Sequence, residues 1–142
     1  MDRQFPSADR YDGSADDAPV SKLWYGILIE GLRAGEERIQ VTPPEPGQGF
    51  AVRAYREGAW RDLIRPPRDM YELFIRRLKV MASFNMVRRL PLEEGRIKLA
   101  HRGEVFEVRA SVRSRADGLE EATVELPELP PNKRLKLAAR VD

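Results

Sequence analysis

Two helix patterns, each followed by sequence that alternates apolar and polar residues, constrain the fold of this chain more than any other feature. In both patterns the apolar residues recur every three to four positions, which places them on one face of a helix. The first comprises Leu23, Trp24, Ile27, Leu28 and Leu32. The second comprises Met70, Leu73, Phe74, Leu78 and Met81, with Arg76, Arg77 and Lys79 outside the apolar face. We expect the first helix to begin with Ser21 as its N-cap and to stop at Gly35, and the second to open at Pro66-Pro67.

Period-two alternation predicts three strands after each helix. The predicted strands cover residues 38–42, 50–55 and 60–64 after the first helix, and residues 95–99, 106–113 and 122–126 after the second. Turn signals at Glu57-Gly58, Arg102-Gly103 and Asp117-Gly118 separate neighbouring strands. This order predicts an α+β sandwich in which two helices pack on one face of a mostly antiparallel sheet.

Charge and composition divide the 142 residues into an arm, a domain and a tail. Residues 1–20 carry five aspartates against two arginines and show no apolar periodicity. Because such a segment buries too little surface to offset the entropy of ordering, we expect a disordered acidic arm. We place the α+β domain at residues 21–126. Residues 127–142 are predicted to be a proline-rich segment and a basic tail, with at most two helical turns and no apolar face to dock.

Missing residue types exclude several classes of function. Without cysteine the chain has no disulfide, no zinc ribbon and no thiol nucleophile. Its single histidine, His101, leaves no imidazole set for a metal and no Ser-His-Asp triad, and its place beside a turn predicts a solvated side chain. No phosphate loop of the pattern G-x-x-x-x-G-K-[ST] occurs. We therefore expect no catalytic residue, no cofactor and no bound metal.

The sequence also carries no signal for a membrane or for export. No apolar run approaches the roughly 18 residues that mark a membrane span. Met1 is not followed by the apolar core of a signal peptide. Together with the absence of cysteine, these observations predict a reduced, cytoplasmic setting.

The positive charge of the predicted domain comes mostly from arginine. The whole chain has a net charge of only +2, too small for a histone-like mode of nucleic-acid binding. Arginine is preferred where planar carboxylate or phosphate groups are gripped by a fork of donors. Arg53 and Arg109 stand opposite the apolar residues of their strands, so both are expected to be exposed. Arginines on a solvated strand face produce the same pattern, and that alternative stays open.

Four motifs follow one another in a fixed order. They are Gly35 to Pro43 (G-E-E-R-I-Q-V-T-P), Val52 to Gly58 (V-R-A-Y-R-E-G), Leu78 to Ile97 (L-K-V-M-A-S-F-N-M, ending in E-G-R-I) and Arg109 to Ser111 (R-A-S). In this order they resemble the second amino-terminal domain of secretion ATPases, the motors of type II secretion and type IV pilus assembly. That family carries G-A-S-D-I-H-I-E-P, V-R-F-R-I-D-G, R-L-K-x-M-A-G-L-D-I with D-G-R-I, and R-V-S at the matching places. The likeness covers roughly residues 23–126.

The chain departs from that family pattern at several positions. Arg38 and Gln40 replace the Asp and the His of S-D-I-H, and Tyr55 replaces the second arginine of V-R-F-R. Glu93-Glu94 replaces a Gln-Asp pair, and the family's motor domain is missing from the sequence. We therefore expect the inherited role to have decayed or to have been reassigned. A fragment and a stand-alone relative both fit, and Met1 with its disordered leader favours a true amino terminus.

The resemblance implies that the domain packs against the motor domain of a neighbouring subunit and lends arginines to bound phosphates. A guanidinium suits that contact because it stays charged and can reach two phosphate oxygens at once. Carried over by position, the candidate nucleotide- or partner-binding residues are Arg53, Arg89, Arg96 and Arg109. The alternative is that these arginines pair across the sheet with Glu57, Glu93, Glu94 or Glu107, each ion pair contributing little stability.

Two function classes remain from these observations. The first is a non-catalytic assembly or regulatory module that docks on a secretion or pilus motor ATPase, on another subunit of that machine, or on a second copy of itself. The alternative is a nucleotide- or nucleic-acid-binding module that uses an arginine-rich sheet face. No exposed aromatic row alternates with the basic residues, as single-strand platforms require, and this argues against nucleic acid.

Overall fold

The computed structural model describes residues 10–11, 19–85 and 90–138. The elements are β1 (Arg10–Tyr11), α1 (Pro19–Ala34), β2 (Arg38–Thr42), β3 (Ala51–Arg56), β4 (Ala59–Ile64), a 3₁₀ turn (Arg68–Met70), α2 (Tyr71–Met81), β5 (Leu92–His101), β6 (Glu104–Ser114), β7 (Glu120–Glu125) and α3 (Pro131–Ala138). The predicted succession of helix, three strands, helix and three strands is confirmed. The structure adds β1 before it and α3 after it.

The strands form one sheet in the order β1-β5-β6-β7-β2-β3-β4. Every neighbouring pair is antiparallel except β1 and β5, which are parallel. The last strand of the second group, β7, pairs with the first strand of the first group, β2. This one pairing joins the two halves of the chain into a continuous sheet. The prediction of an α+β fold with a mostly antiparallel sheet is confirmed.

Two of the predicted turns have the backbone geometry of tight hairpins. Glu57 and Gly58 connect β3 to β4 with φ values of 53° and 83°, and Arg102 and Gly103 connect β5 to β6 with φ values of 51° and 81°. Positive φ at both central positions matches the right-handed twist of the flanking strands. Glycine adopts this conformation without steric cost, which explains its place in both turns.

The helices cover one face of the sheet and enclose a single apolar core. Trp24 of α1 stacks on Phe74 of α2 with ring centroids 4.2 Å apart, and its indole Nε1 donates to the Phe74 carbonyl at 2.9 Å. Gly31 lets α1 approach the sheet, since a Cβ there would lie 2.8 Å from Leu126 Cδ1. Both predicted apolar faces are therefore core, with one exception. Leu73 is 46% exposed, because it lies on the solvent side of α2.

Lys79 lies on the side of α2 that faces the core, so the prediction that it faces outward is wrong. Its side chain is 10% exposed, and Nζ lies 2.7 Å from Glu120 Oε2 and 4.0 Å from Glu93 Oε1. These carboxylates stand on β7 and β5, so the ion pairs connect α2 to two strands. A buried lysine is tolerated there because its charge is compensated.

The two ends of the chain differ from the predicted pattern. Helix α1 begins at Pro19, and Ser21 is a buried residue within it rather than its N-cap. Arg10–Tyr11, inside the predicted arm, pairs with β5, while residues 1–9 and 12–18 lie outside the described residues. At the other end Leu137 is 1% exposed, and its carbonyl accepts a hydrogen bond from Arg33 Nε at 2.6 Å. The tail thus does dock, and the boundaries of arm and domain otherwise stay predictions.

Candidate docking face of the sheet

The face of the sheet opposite the helices is open. Along each strand, side chains that alternate with the buried ones point to this face, and on β5, β6, β7 and β2 most of them are polar or charged. No described helix packs over them. We call this surface the open face. It is the part of the described structure where charged side chains of several strands meet without a covering layer.

Strand register aligns six side chains of the open face into one row across six strands. Each residue stands directly opposite the next, so the row continues from β5 to β4. In spatial order the members are Arg96, Arg109, Glu125, Arg38, Tyr55 and Trp60. With strands spaced about 4.8 Å apart, this row is roughly 24 Å long. We call it the cross-strand row.

One end of the cross-strand row is an aromatic cluster. The Arg38 guanidinium carbon lies 4.5 Å from the Tyr55 ring centroid and 5.9 Å from that of Trp60. The two rings themselves are 5.0 Å apart. Arginine held over aromatic faces is attracted to the ring quadrupole. Trp60 remains 42% exposed, so this end presents a large, rigid apolar surface beside a fixed positive charge.

The other end of the cross-strand row is a pair of arginines. Arg96 and Arg109 face each other directly on β5 and β6, an arrangement that is unfavourable for like charges. Arg96 has Glu107 Oε2 3.4 Å from its Nη1. Arg109 forms no ion pair within the described part of the chain. Both side chains line a shallow hollow of about 240 Å³, together with Ser111 and Glu125.

The four candidate arginines do not form one cluster. Of the three that the structure describes, only Arg96 and Arg109 are neighbours. Arg53 is also on the open face, but it stands on β3, with β7 and β2 between it and Arg109. Its Nε lies 3.0 Å from Asp62 Oδ1 on β4. Arg89 lies outside the described residues, so its candidacy stays a prediction.

The alternative was that these arginines pair with carboxylates, and two of them, Arg53 and Arg96, do so. Of the four glutamates proposed as partners, Glu107 pairs with Arg96, whereas Glu93 faces the helix side and contacts Lys79. Arg53 pairs with Asp62, which is not one of those four glutamates. Both observed pairs are largely exposed, so each contributes little to folding stability.

Sequence reasoning missed the aromatic end of the row. Alternation alone puts Arg38 and Tyr55 on the polar sides of their strands, and the Glu57-Gly58 hairpin brings Trp60 opposite Tyr55. These three residues could therefore have been grouped from the sequence. Their alignment with Arg109 could not, since it depends on β7 lying beside β2.

His101 is half-buried rather than solvated, which corrects the expectation from its place beside a turn. Its Nδ1 is 2.6 Å from the Tyr25 hydroxyl, which itself donates to the Ala100 carbonyl. His101 Nε2 is buried without a hydrogen-bond partner in the described residues. Burial, and after it the positive charges of Arg102 and Arg33, lower the pKa of His101, because each disfavours the charged imidazolium form.

In residues 10–11, 19–85 and 90–138 no three His, Asp or Glu side chains come together in a way that could hold a metal ion. The helices in those same ranges all lack the length and apolarity needed to cross a membrane.

The sequence profile of the family described as type II/IV secretion system protein matches residues 13–118. The chain belongs to this family. Among its relatives, type II secretion system protein E of Klebsiella pneumoniae is 31% identical over 108 residues, or 76% of this chain and 21% of the relative. Type IV pilus assembly ATPase PilB of Myxococcus xanthus is 39% identical over 92 residues, or 64% of this chain and 16% of the relative.

Type II secretion system protein E of Pseudomonas aeruginosa is 30% identical over 115 residues, or 81% of this chain and 22% of the relative. This member of the type II/IV secretion family therefore spans about a fifth of the length of the curated relatives it matches. It corresponds to a domain of those secretion and pilus proteins rather than to a whole motor. The resemblance inferred from the four motifs is confirmed.

Four of the five positions named above as departures from the motor pattern lie on the open face. Arg38 and Gln40 are on the open face of β2, and Tyr55 is on the open face of β3, directly opposite Arg38. Glu94 is on the open face of β5, whereas Glu93 points to the helices and contacts Lys79.

Proposed function

We propose that this chain is a non-catalytic assembly or regulatory module of a type II secretion or type IV pilus machine, acting on the cytoplasmic side. It docks through the open face on a motor ATPase or on another subunit of that machine. The observation that carries the proposal is the cross-strand row, which presents Trp60, Tyr55 and three arginines along one uncovered line. Trp, Tyr and Arg are the residues most enriched among those that dominate binding energy at protein interfaces.

The two ends of the row suit different parts of a partner surface. The aromatic end offers Trp60, 42% exposed, as an apolar anchor with Arg38 fixed beside it. The arginine end offers Arg96 and Arg109, whose mutual repulsion is relieved when a carboxylate lies between them. The partner surface that fits is therefore apolar at one end and acidic at the other.

A second candidate function rests on that same arginine end. Two guanidinium groups beside the Ser111 hydroxyl line a hollow that a phosphate oxygen could enter. In this alternative the module binds nucleotide phosphates held by its partner. Binding to a nucleotide-free and a nucleotide-loaded partner separates the two functions. If the arginines bind a carboxylate, binding to the partner does not depend on nucleotide. If they bind a phosphate, binding requires the nucleotide.

Titration of the purified chain against the motor domain of a secretion or pilus ATPase from the same organism tests the docking role. Trp60→Ala and Arg109→Ala should each weaken binding by roughly thirtyfold, the size expected for a dominant interface residue. Arg113→Ala is the matched control, since Arg113 is an exposed arginine of β6 outside the row. If Trp60→Ala and Arg109→Ala bind as tightly as the parent chain, the cross-strand row is not in the interface.

The chain alone should hydrolyse no nucleotide, since its sequence holds no phosphate loop. Phosphate release by the purified protein, measured against a heat-killed sample, is the assay. Turnover that survives a second purification would refute the non-catalytic role, whatever the outcome of the docking titration.

A further inference from the structure

The cross-strand row is complementary to its own reverse. Read from β5 to β4, its members are cationic, cationic, anionic, cationic, aromatic and aromatic: Arg96, Arg109, Glu125, Arg38, Tyr55 and Trp60. A two-fold axis that runs along the strands, midway between two apposed open faces, lays one row on another in the reverse order. Such an interface uses the same surface of both copies, so it closes as a dimer.

The reversal places opposite charges at the centre of the row. Glu125 faces Arg38 of the second copy, and Arg38 faces the second copy's Glu125. Within one chain these two residues stand directly opposite each other on β7 and β2, yet neither forms an ion pair in the described ranges. The Arg38 guanidinium lies instead over the Tyr55 ring, 4.5 Å from its centroid. Glu125 is exposed, so its carboxylate can accept from a guanidinium of another chain.

The reversal also brings the arginine end of one row onto the aromatic end of the other. Arg109 faces Tyr55 of the second copy, and Arg96 faces its Trp60. The Arg96 side chain is 67% exposed and Trp60 is 42% exposed, so both can be covered by a partner. A guanidinium on an aromatic face is attracted to the ring quadrupole. Each arginine of the like-charged pair then has a ring of its own.

Charge selects this arrangement over its neighbours. Moving the second row by one strand brings Glu125 onto Glu125 of the second copy in one direction, and Arg38 onto Arg38 in the other. An axis along the row, rather than along the strands, makes every residue face itself. Like charges that meet across an interface are costly, so these alternatives are disfavoured. The net charge of the chain, only +2, opposes pairing little.

The geometry of packed sheets suits this contact. Sheets pack about 10 Å apart, a gap that arginine, glutamate and aromatic side chains can fill from both sides. In the next row Ser111 faces Arg53 of the second copy, whereas Glu94 and Asp62 meet as like charges at the two outer corners. Packed sheets cross at about 30° because each is twisted, so the corners lie farther apart than the centre.

We propose that two copies of this chain pair face to face through the cross-strand row, with Glu125 of each copy on Arg38 of the other. The pairing needs no other subunit and so goes beyond docking on a motor. Because both contacts use the same row, a paired copy cannot dock. The second copy therefore competes with the motor for the open face.

Sedimentation equilibrium of the full chain at neutral pH tests the pairing. The open face measures about 24 Å by about 17 Å, at the small end of specific interfaces, so a reversible dimer with a dissociation constant of about 10–100 μM is expected. Glu125→Arg and Arg38→Glu, each alone, put like charges opposite each other and should weaken pairing at least about tenfold. Glu72→Arg and Arg76→Glu make the same charge reversals at exposed positions of α2 and should pair as the parent chain does.

An equimolar mixture of the Glu125→Arg and Arg38→Glu chains shows whether these positions face each other. In the mixed dimer the introduced arginine faces the introduced glutamate, and the native Arg38 faces the native Glu125. The mixture should therefore pair more tightly than either variant alone, approaching the parent chain. A residue that only supports its own fold cannot be rescued by a second molecule.

Amide NMR of the parent chain at rising concentration needs no variant. The amides of Tyr55, Trp60 and Arg109 should shift, and those of α2 should not. The proposal is wrong if the parent chain is still monomeric at about 500 μM, well above the expected constant. It is also wrong if mixing the two variants restores no dimer, or if the shifts lie on the helices. These samples contain no motor, so failure here leaves motor docking untouched, and failure of the motor titration leaves the dimer untouched.

Discussion

The two faces of the sheet belong to the same strands, yet a cation is compensated by carboxylates on one face and left unpaired on the other. On the helix-covered face Lys79 is nearly buried and is compensated by Glu120 and Glu93. On the open face Arg109 forms no ion pair with any residue the structure describes, and its like-charged neighbour Arg96 stands directly opposite. Lys79 under the helices therefore connects elements of the fold, whereas Arg109 on the open face remains available for a partner.

The first prediction concerns the core beneath the helices. Leu78→Ala should lower the free energy of unfolding by about 2–5 kcal/mol, because it removes a fully buried side chain and leaves a cavity. Leu73→Ala, on the exposed side of the same helix, should cost less than about 0.5 kcal/mol. Chemical denaturation of both variants measures the difference. Equal losses would mean that α2 is not packed as described.

The second prediction concerns the buried charge. Lys79→Ala should lower the free energy of unfolding by about 2–3 kcal/mol, since it removes the ammonium group that pairs with the Glu120 and Glu93 carboxylates. Arg76→Ala, an exposed cation one turn earlier on α2, should change it by less than about 0.5 kcal/mol. The same denaturation experiment compares them. A Lys79 variant as stable as the Arg76 variant would show that both cations are merely solvated.

The third prediction uses pH. The folded-state pKa of His101 is lowered, so the unfolded chain binds its proton more readily than the folded chain does. The stabilising contribution of the neutral imidazole is therefore present above about pH 6.5 and is lost as the pH falls through the folded pKa. Thermal melts of the parent chain and of His101→Gln should diverge in slope across that range. Parallel pH profiles would contradict the buried neutral histidine.

The smallest effect on stability is expected on the open face. Arg109→Ala should change the free energy of unfolding by less than about 1 kcal/mol, because its guanidinium is exposed and makes no ion pair in the described ranges. The same substitution should strongly weaken docking, as proposed above. Denaturation and binding titration on one sample separate the two effects. If Arg109→Ala destabilises the protein as much as Leu78→Ala, the residue has a structural role and the docking role fails there.

Local patterns were enough to predict the elements and most of the core. Apolar spacing identified Trp24, Phe74 and Leu78 as buried, and glycine in Glu57-Gly58 and Arg102-Gly103 identified two hairpins. These signals depend on residues that are close in the sequence, so they predict helices and turns without knowledge of the fold. The burial predictions for Leu73 and Lys79 were wrong for the same reason. Both residues lie near the edge of the apolar stripe, where neighbouring strands decide which side chain is covered.

The sequence by itself determined the order of helices and strands, the side of each strand that is polar, and the absence of a phosphate loop. Only the tertiary structure decided that β7 lies beside β2, and this pairing aligns Arg96 and Arg109 with Arg38, Tyr55 and Trp60. It likewise decided that Glu36 is buried against Arg61, 25 positions away in the chain. Periodicity is a property of neighbouring residues, whereas strand order and burial of charge depend on contacts between distant ones, which no local pattern encodes.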